Sequence, residues 1–573
     1  MRNLVFSLQT ILCTWVGLSA AELSAQVKEY PKGYFTSPLE IPLNLSGNFG
    51  ELRTNHFHAG LDIKTDQREG LNVLAAAEGY VSRIKVSPVG YGYALYITHP
   101  NGYSTQYGHL LNYSAKIDAY VKKHQYELES FSVDLYPDKN ELPVAKGEVI
   151  GLSGNTGSSG GPHLHFEVRE TETEKLINPL LFGFEIKDKI PPSASNIWIV
   201  PLGDSSWVNG ARIPVAFETR SGGLKTTTPP KIYGDVGFAI TTIDMLDGNT
   251  NRCGVYRIEL FVDGVQVYGQ RMDMLDFTTN RAINAHTIYE RYRKEKSSIH
   301  SSYRLPGNPL NIYENLVNDG ILSFNDGKLH ACEYRLLDIM GNETRVKFSV
   351  QAQTTGGKPA SSKPCLAKWN WEVDNAYETP GLKISMKART LYENLDFNLS
   401  ESSKVPNAVS STYLIASPDE PVHNAYSLAI RADRVLPGLE KKTTVVRWDP
   451  AKGKMTAEPS KYENGWMTAQ PMYLGYFALV LDTVRPAISS IDFAPSLIGK
   501  KSFSFRISDA LSGIDQIIPR IDGKWALMEY DAKNSRLTYY LDERYIQHGN
   551  HTFSLKVVDA LGNEISFNGD FSW

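Results

Sequence analysis

Cysteine is nearly missing from this chain: 573 residues carry only 4. Cys13 lies in an N-terminal apolar stretch, and Cys253, Cys332 and Cys365 show no Cys-x-x-Cys spacing. A disulfide framework and a cysteine zinc site are thereby excluded, with Cys253 and Cys332 left as one pair that a single domain would contain. Charge imbalance is missing too. A formal net charge of −4, with 21% charged residues, creates no strong field, so nucleic acid is not an expected partner. Beyond the N-terminus no apolar run approaches the ~18–20 residues of a spanning helix. His-Glu-x-x-His occurs nowhere, which removes the helix-borne metal site built on that motif. The serines of the stretch 151–161 are not read as a nucleophile elbow, and that stretch reads as flexible backbone beside a groove.

What the chain does have is length, tyrosine and turns. At 573 residues it exceeds one core, since single cores stop growing near ~250–300 residues, so three to five domains are expected. Aromatic content of 11%, with 31 Tyr against 10 Met, and short Thr/Val/Ile/Tyr runs broken by Gly, Asn and Pro favour strands. The fold class is mainly β. Arg2, the apolar run from Leu4 to Leu18 and the small residues Ser19-Ala20-Ala21 and Ser24-Ala25 have the form of a cleavable secretory signal over 1–25. An exported protein is expected, in the periplasm or cell envelope, with no spanning segment once the signal is removed. The residues before Cys13 lack the small side chains that lipoprotein processing needs.

Strand-and-turn texture fills residues 40–185, within a first domain placed at 26–187. Pro100-Asn101-Gly102 joins two alternating runs as a hairpin, and period-two alternation puts Tyr103, Thr105, Tyr107 and His109 on one face. Residues 111–141 are richer in Lys, Glu and Tyr and read as an insertion with some helix. Further on the chain repeats itself. Asp188, Pro192, Ser195 and Ile197 recur as Asp482, Pro486, Ser489 and Ile491. Likewise Asp244 and Gly248 recur as Asp509 and Gly513, and Asp338, Gly341, Asn342 and Glu343 as Asp559, Gly562, Asn563 and Glu564. Two copies of one β-domain are expected, at 188–352 and 482–573, the first enlarged by a polar, irregular insertion at about 268–330. Short strands with Asp-Gly and Gly-Asn turns suit immunoglobulin-like sandwiches, though without the Cys…Trp…Cys spacing of antibody domains. Residues 353–364 read as a linker by composition, and 365–481 as a further β-domain.

Seven of the 13 histidines (56, 58, 99, 109, 124, 163 and 165) lie between residues 56 and 165. In the apolar run Leu164, Phe166, Val168 a strand points His163 and His165 to the opposite face together. Ala59-Gly60 lets a tight turn bring His58 and Asp62 onto one metal. Two His and one Asp would leave a tetrahedral zinc one open position for water, the arrangement of catalytic sites. Taken singly, each motif is more often ordinary strand sequence; together in one β-domain they make a site. His56, His99 and His124 are expected to be surface or turn residues. Glu167 shares strand parity with His163 and His165 and reads as a partner behind a ligand or as an exposed edge carboxylate. Arg53 and Asn55 would contact substrate or line the groove.

The stretch from Asn48 through His58 to Asp62, the central Tyr107-Gly108-His109-Leu110, and the stretch from Ser153 through Pro162-His163-Leu164-His165 to Glu167 resemble the lysostaphin/LytM-type zinc metallopeptidases. The resemblance covers about residues 40–185. It implies an antiparallel β metallopeptidase domain with a groove, zinc held by His58, Asp62 and His165, and His109 and His163 acting on the zinc water and the transition state. It implies peptidoglycan peptide cross-links as substrate; which histidine is the base stays open. The following β-modules would position the enzyme, restrict its groove, or bind an envelope protein partner. A different class of function is a catalytically silent relative that binds and activates a cell-wall amidase, but such relatives typically lack ligands. A carrier domain, suggested by the stretch 144–150, leaves the histidines unexplained.

Overall fold

The computed structural model describes residues 29–356, 364–402 and 405–573. The expected signal segment 1–25, and most of the expected linker 353–364, lie outside them. The chain is mainly antiparallel β. Among the described residues no helix is long and apolar enough to cross a membrane.

The first third forms a twisted antiparallel sheet with strand order Leu45–Gly47, Leu61–Lys64, His163–Glu170, Tyr103–Tyr113, Tyr93–Thr98, Gly79–Val86, Pro143–Val144. Its three central strands are in register so that His165 stands opposite both Asp62 and Gly108, and Phe166 opposite both Leu61 and Tyr107. Side chains alternate across a strand. One row (Leu61, Phe166, Tyr107, with Ile63 and Leu164) therefore enters the core, fully buried, and the neighbouring row faces outward with the polar residues. The helix Ala115–Glu127 lies within the stretch read as an insertion and packs Ile117 and Val121 onto the same core.

Three further hydrophobic cores follow. The first β-domain is built on the long pairs Ser193–Pro201 with Lys231–Ile243 and Leu329–Leu337 with Glu343–Ala352. The third unit has two five-stranded sheets around Phe397, Tyr426 and Phe477. The last domain packs two four-stranded sheets around Phe503, Phe505 and Phe553. Cys253 and Cys332 are buried and free, not paired: Cys253 joins the hydrophobic core of the first domain and Cys332 the core of the β-domain that follows it.

The segment 268–330 differs from the expected polar, irregular insertion. It carries the 3-10 turn Asn280–Ala285, the helix Tyr289–Glu295 and several short strands. Met272, Leu275, Ala282, Ile283 and Leu310 form one apolar cluster with Phe49, Phe57, Ala59 and Leu176 of the first domain. Met274–Leu275 also pairs with Leu176–Ile177, joining the two domains through backbone hydrogen bonds.

Candidate metal centre

The strand Leu61–Lys64 sends Asp62 to the outer row, and His163–Glu170 sends His163, His165 and Glu167 there, as strict alternation requires. His58 joins them from the turn before Asp62. That turn passes so close to the next strand that a Cβ on Gly60 would lie 2.3 Å from the Phe166 carbonyl oxygen. His109 arrives differently from the sequence-based expectation. Tyr107 is fully buried in the core, so plain alternation would bury His109 beside it. Instead His109 takes a left-handed φ of 60°, and the register with Tyr93–Thr98 shifts between Tyr93 and Leu95. This irregularity turns the imidazole onto the outer row, where its ring centroid lies 4.8 Å from that of His163 and 6.0 Å from that of His165.

At the centre, Asp62 Oδ1 lies 3.0 Å from His58 Nε2 and 2.8 Å from His165 Nδ1, and the two nitrogens are 3.1 Å apart. What surrounds them fixes the tautomers. A carbonyl oxygen only accepts, so His58 Nδ1, 2.7 Å from the Asn48 carbonyl, carries the proton and leaves Nε2 a lone pair. His165 Nε2 donates to Glu167 Oε1 at 2.9 Å, which leaves Nδ1 a lone pair. Asp62 Oδ2 accepts from Arg53 Nη2 at 2.6 Å, freeing Oδ1. Three electron-pair donors thus converge on one point, an arrangement that needs a proton or a cation among them. A tetrahedron of ~2.0–2.1 Å bonds has edges of about 3.4 Å, so a shift of a few tenths of an ångström seats zinc. Two imidazoles and a carboxylate suit zinc's borderline softness.

The electrostatics carry the same message. Burial opposes ionisation of Asp62, but His58, His163 and His165 outweigh it and hold the carboxyl well below its usual range. Burial drives the neutral form of His58, lowering it to about 4. His165 is buried as well, yet hydrogen bonds to Asp62 and Glu167 push it up to about 9. His109 is lowered to about 3 by burial and by the neighbouring His165 and His163 rings. Its Nδ1 donates to the Thr156 carbonyl at 2.9 Å, and His163 Nδ1 donates to the Gly161 carbonyl at 2.8 Å. Both rings therefore present a bare Nε2, that of His163 lying 3.4 Å from Asp62 Oδ1.

The structure thus brings together all five residues singled out in sequence. Glu167 is the buried partner of His165, not an edge carboxylate. Arg53 Nη2 is bonded to Asp62, and Asn55 is bonded to Tyr473 and Asn284. His99 is buried and bonded to the Glu78 carbonyl and Thr105, a structural role and not a surface one. The glycine-rich loop is tied down: Lys533 of the last domain donates to the carbonyls of Asn155 and Ser159. Sequence reasoning missed Tyr91, which donates to Glu167 Oε1 at 2.6 Å, and Arg169, whose guanidinium meets Glu167 Oε2 at 2.6 Å. Arg169 shares strand parity with His165 and Glu167, a signal that was available; Tyr91 gave none.

A sheet bearing a His-Asp-His ring flanked by two more histidines defines a candidate metal-binding β-domain. Residues 56–126 and 131–179 match the model described as peptidase family M23, and this part of the chain is a domain of that family. The break in the match, at 127–130, falls inside the stretch read as an insertion. Residues 367–482 match a Zu5-like domain. The DD-carboxypeptidase/endopeptidase Mpg of Neisseria meningitidis is 34% identical over 143 residues, 24% of this chain and 27% of that protein. The peptidoglycan DD-endopeptidase ShyA of Vibrio cholerae is 32% identical over 137 residues, 23% of this chain and 26% of that protein. The chain thus spans about a quarter of the length of these curated relatives. The lysostaphin catalytic domain from Staphylococcus simulans aligns at 23% identity over 24% of this chain and 87% of its own, with a TM-score of 0.18.

Proposed function

We propose that this chain is an exported zinc endopeptidase that hydrolyses peptide cross-links of peptidoglycan in the periplasm or cell envelope. The observation that carries the reading is the convergence of three lone pairs, each freed by its own hydrogen-bond partner, beside two further histidines with bare Nε2 atoms. His58, Asp62 and His165 would hold the zinc. When bound, zinc supplies a Lewis acid for the scissile carbonyl and a water of lowered pKa. His109 and His163 supply the proton handling. Each is anchored through Nδ1 to a backbone carbonyl, so a proton taken at Nε2 reaches the leaving amine without the ring turning. The imidazole not acting as base donates to the developing oxyanion once protonated. The named relatives, a DD-carboxypeptidase/endopeptidase and a peptidoglycan DD-endopeptidase, support the wall peptide as substrate class.

The test is muropeptide release from purified sacculi by the zinc-loaded full chain. His109→Ala should lower kcat by ~10²–10⁴-fold with zinc retained, and His165→Ala should lose zinc and cleavage together. Undiminished release by both variants would refute the assignment.

A further inference from the structure

The two copies of the repeated β-domain each gather three aspartates: Asp188, Asp244 and Asp338 in the first, Asp482, Asp509 and Asp559 in the second. Within each trio one carboxylate oxygen per residue lies within 4.8 Å of the other two. The six positions correspond one to one in the internal repeat, and their scaffolding is duplicated as well. Asn342 donates its backbone N–H and its Nδ2 to the two oxygens of Asp338 at 2.9 and 2.7 Å, and Nδ2 also reaches the Asp188 carbonyl at 3.3 Å. Asn563 does the same to Asp559, at 2.8 and 2.8 Å, and reaches the Asp482 carbonyl at 2.9 Å. Asp188 and Asp482 each accept the amide two residues on.

This scaffolding leaves one oxygen bare in each copy. Asp244 Oδ1 and Asp509 Oδ1 are buried atoms without a hydrogen-bond partner. Asp244 as a residue is only 3% exposed, and with Asp188 it lines a small cavity at the junction with the peptidase domain. Burial, then repulsion from Asp188 and Asp338, pushes Asp244 up to about 8; no lysine, arginine or histidine acts on it or on Asp188. A buried polar atom is ordinarily satisfied, and buried like charges this close are ordinarily paired. The other oxygen of Asp509 accepts from the Leu511 and Gly513 amides and Asp482 from Ser512, so what repeats is one bare oxygen at the same place in each trio, and that repetition has a common cause.

We propose that each copy of the β-domain binds one divalent cation of the calcium class through its three aspartates. The donor set is oxygen alone, which suits a hard cation with irregular, water-completed coordination and not zinc. Each site ties the segment entering the domain (Asp188 or Asp482) to a loop and to the turn of the terminal hairpin. The first also backs the peptidase centre. Asp244 and Cys253 exchange both backbone hydrogen bonds. The adjacent Gly254 is bonded twice to the Asn48 side chain, and the Asn48 carbonyl holds His58. At the second site Lys442 Nζ sits 2.9 Å from the Leu561 carbonyl beside Asp559, so weaker binding is expected there.

The experiment is equilibrium dialysis of the zinc-loaded full chain against calcium, with thermal unfolding in calcium and in a calcium-selective chelator. Two equivalents should be retained and the unfolding temperature should rise with calcium. Asp244→Asn and Asp509→Asn should each remove one equivalent. Asn keeps the shape and removes the buried charge, so calcium-free Asp244→Asn should unfold no lower than calcium-free wild type, which separates lost binding from lost folding. No retained calcium at millimolar concentration, or variants that keep both equivalents, would overturn the proposal. A single equivalent, removed by one variant only, would overturn it for the other copy.

Discussion

Glu167→Gln separates what holds the fold from what holds the metal. The carboxylate is fully buried and serves three partners: His165 Nε2 at 2.9 Å, the Tyr91 hydroxyl at 2.6 Å and the Arg169 guanidinium at 2.6 Å. Burial penalises its charge, but Arg169 and His165 outweigh that and lower it to about 2. Gln keeps an oxygen for His165 but leaves the Arg169 charge without its counter-ion, held between the rings of Tyr96 and Phe277. Breaking a buried pair from one side costs about 3–5 kcal/mol. At ~2–4 °C per kcal/mol for a domain of this size, the peptidase unit should melt roughly 6–20 °C lower. Losing a carboxylate behind a ligating histidine costs ~10–100-fold in metal affinity. Glu167→Gln/Arg169→Met removes both charges and should recover most of the stability, while zinc affinity, read by competition with a chromophoric chelator, stays low. If the double variant recovers both, Glu167 acts only as a fold element; if the single variant keeps wild-type affinity, the ligand-orienting argument fails.

Other consequences are as direct. His165 is raised to about 9, so its stabilising contribution in zinc-free protein is fully present below the unfolded value near 6.5 and is lost as pH rises through 9. Zinc binding at pH 7.5 should therefore release about one proton, measured by calorimetry in buffers of different ionisation enthalpy, and zero release would contradict the ring proton. Asn280→Ala strips partners from both the N–H and the carbonyl of Phe57, one residue before His58. At about 1–3 kcal/mol per buried unsatisfied group, a lower unfolding temperature and weaker zinc binding should appear together. Lys533→Ala should speed hydrogen exchange of residues 155–160 by severalfold, with slower exchange or none changed counting against the contact.

Much of the site was legible because a strand writes its faces into the sequence. His163, His165 and Glu167 alternate with Leu164, Phe166 and Val168, and the structure keeps that alternation without exception. The mainly β class and the duplicated aspartate positions were legible for similar reasons, since turn residues repeat where strands do. His109 was not. Its place depends on one left-handed residue in a strand, and although histidine is enriched among non-glycine residues there, it adopts that conformation too seldom to announce it. Nor were the partners of Arg53, Asn55 and the glycine-rich loop (Asp62, Tyr473 and Lys533) legible, because they are set by tertiary packing.

The segment 268–330 shows why polarity alone misleads. Its polar residues are spent on contacts behind the metal centre: Asn280 on the Phe57 backbone, Asn284 on Asn55, and the 3-10 turn against the turn bearing His58. Two of its three histidines, His286 and His300, are buried against Tyr313 and Gln270, and burial lowers both below the usual range. Buried imidazoles that hydrogen-bond one another make a rigid polar core. A segment that an isolated β-domain would not need therefore forms the rear wall of the peptidase centre. Deleting it would expose Phe49, Phe57 and Leu176 together, so the apolar rear face of the first domain is covered only with its neighbour attached.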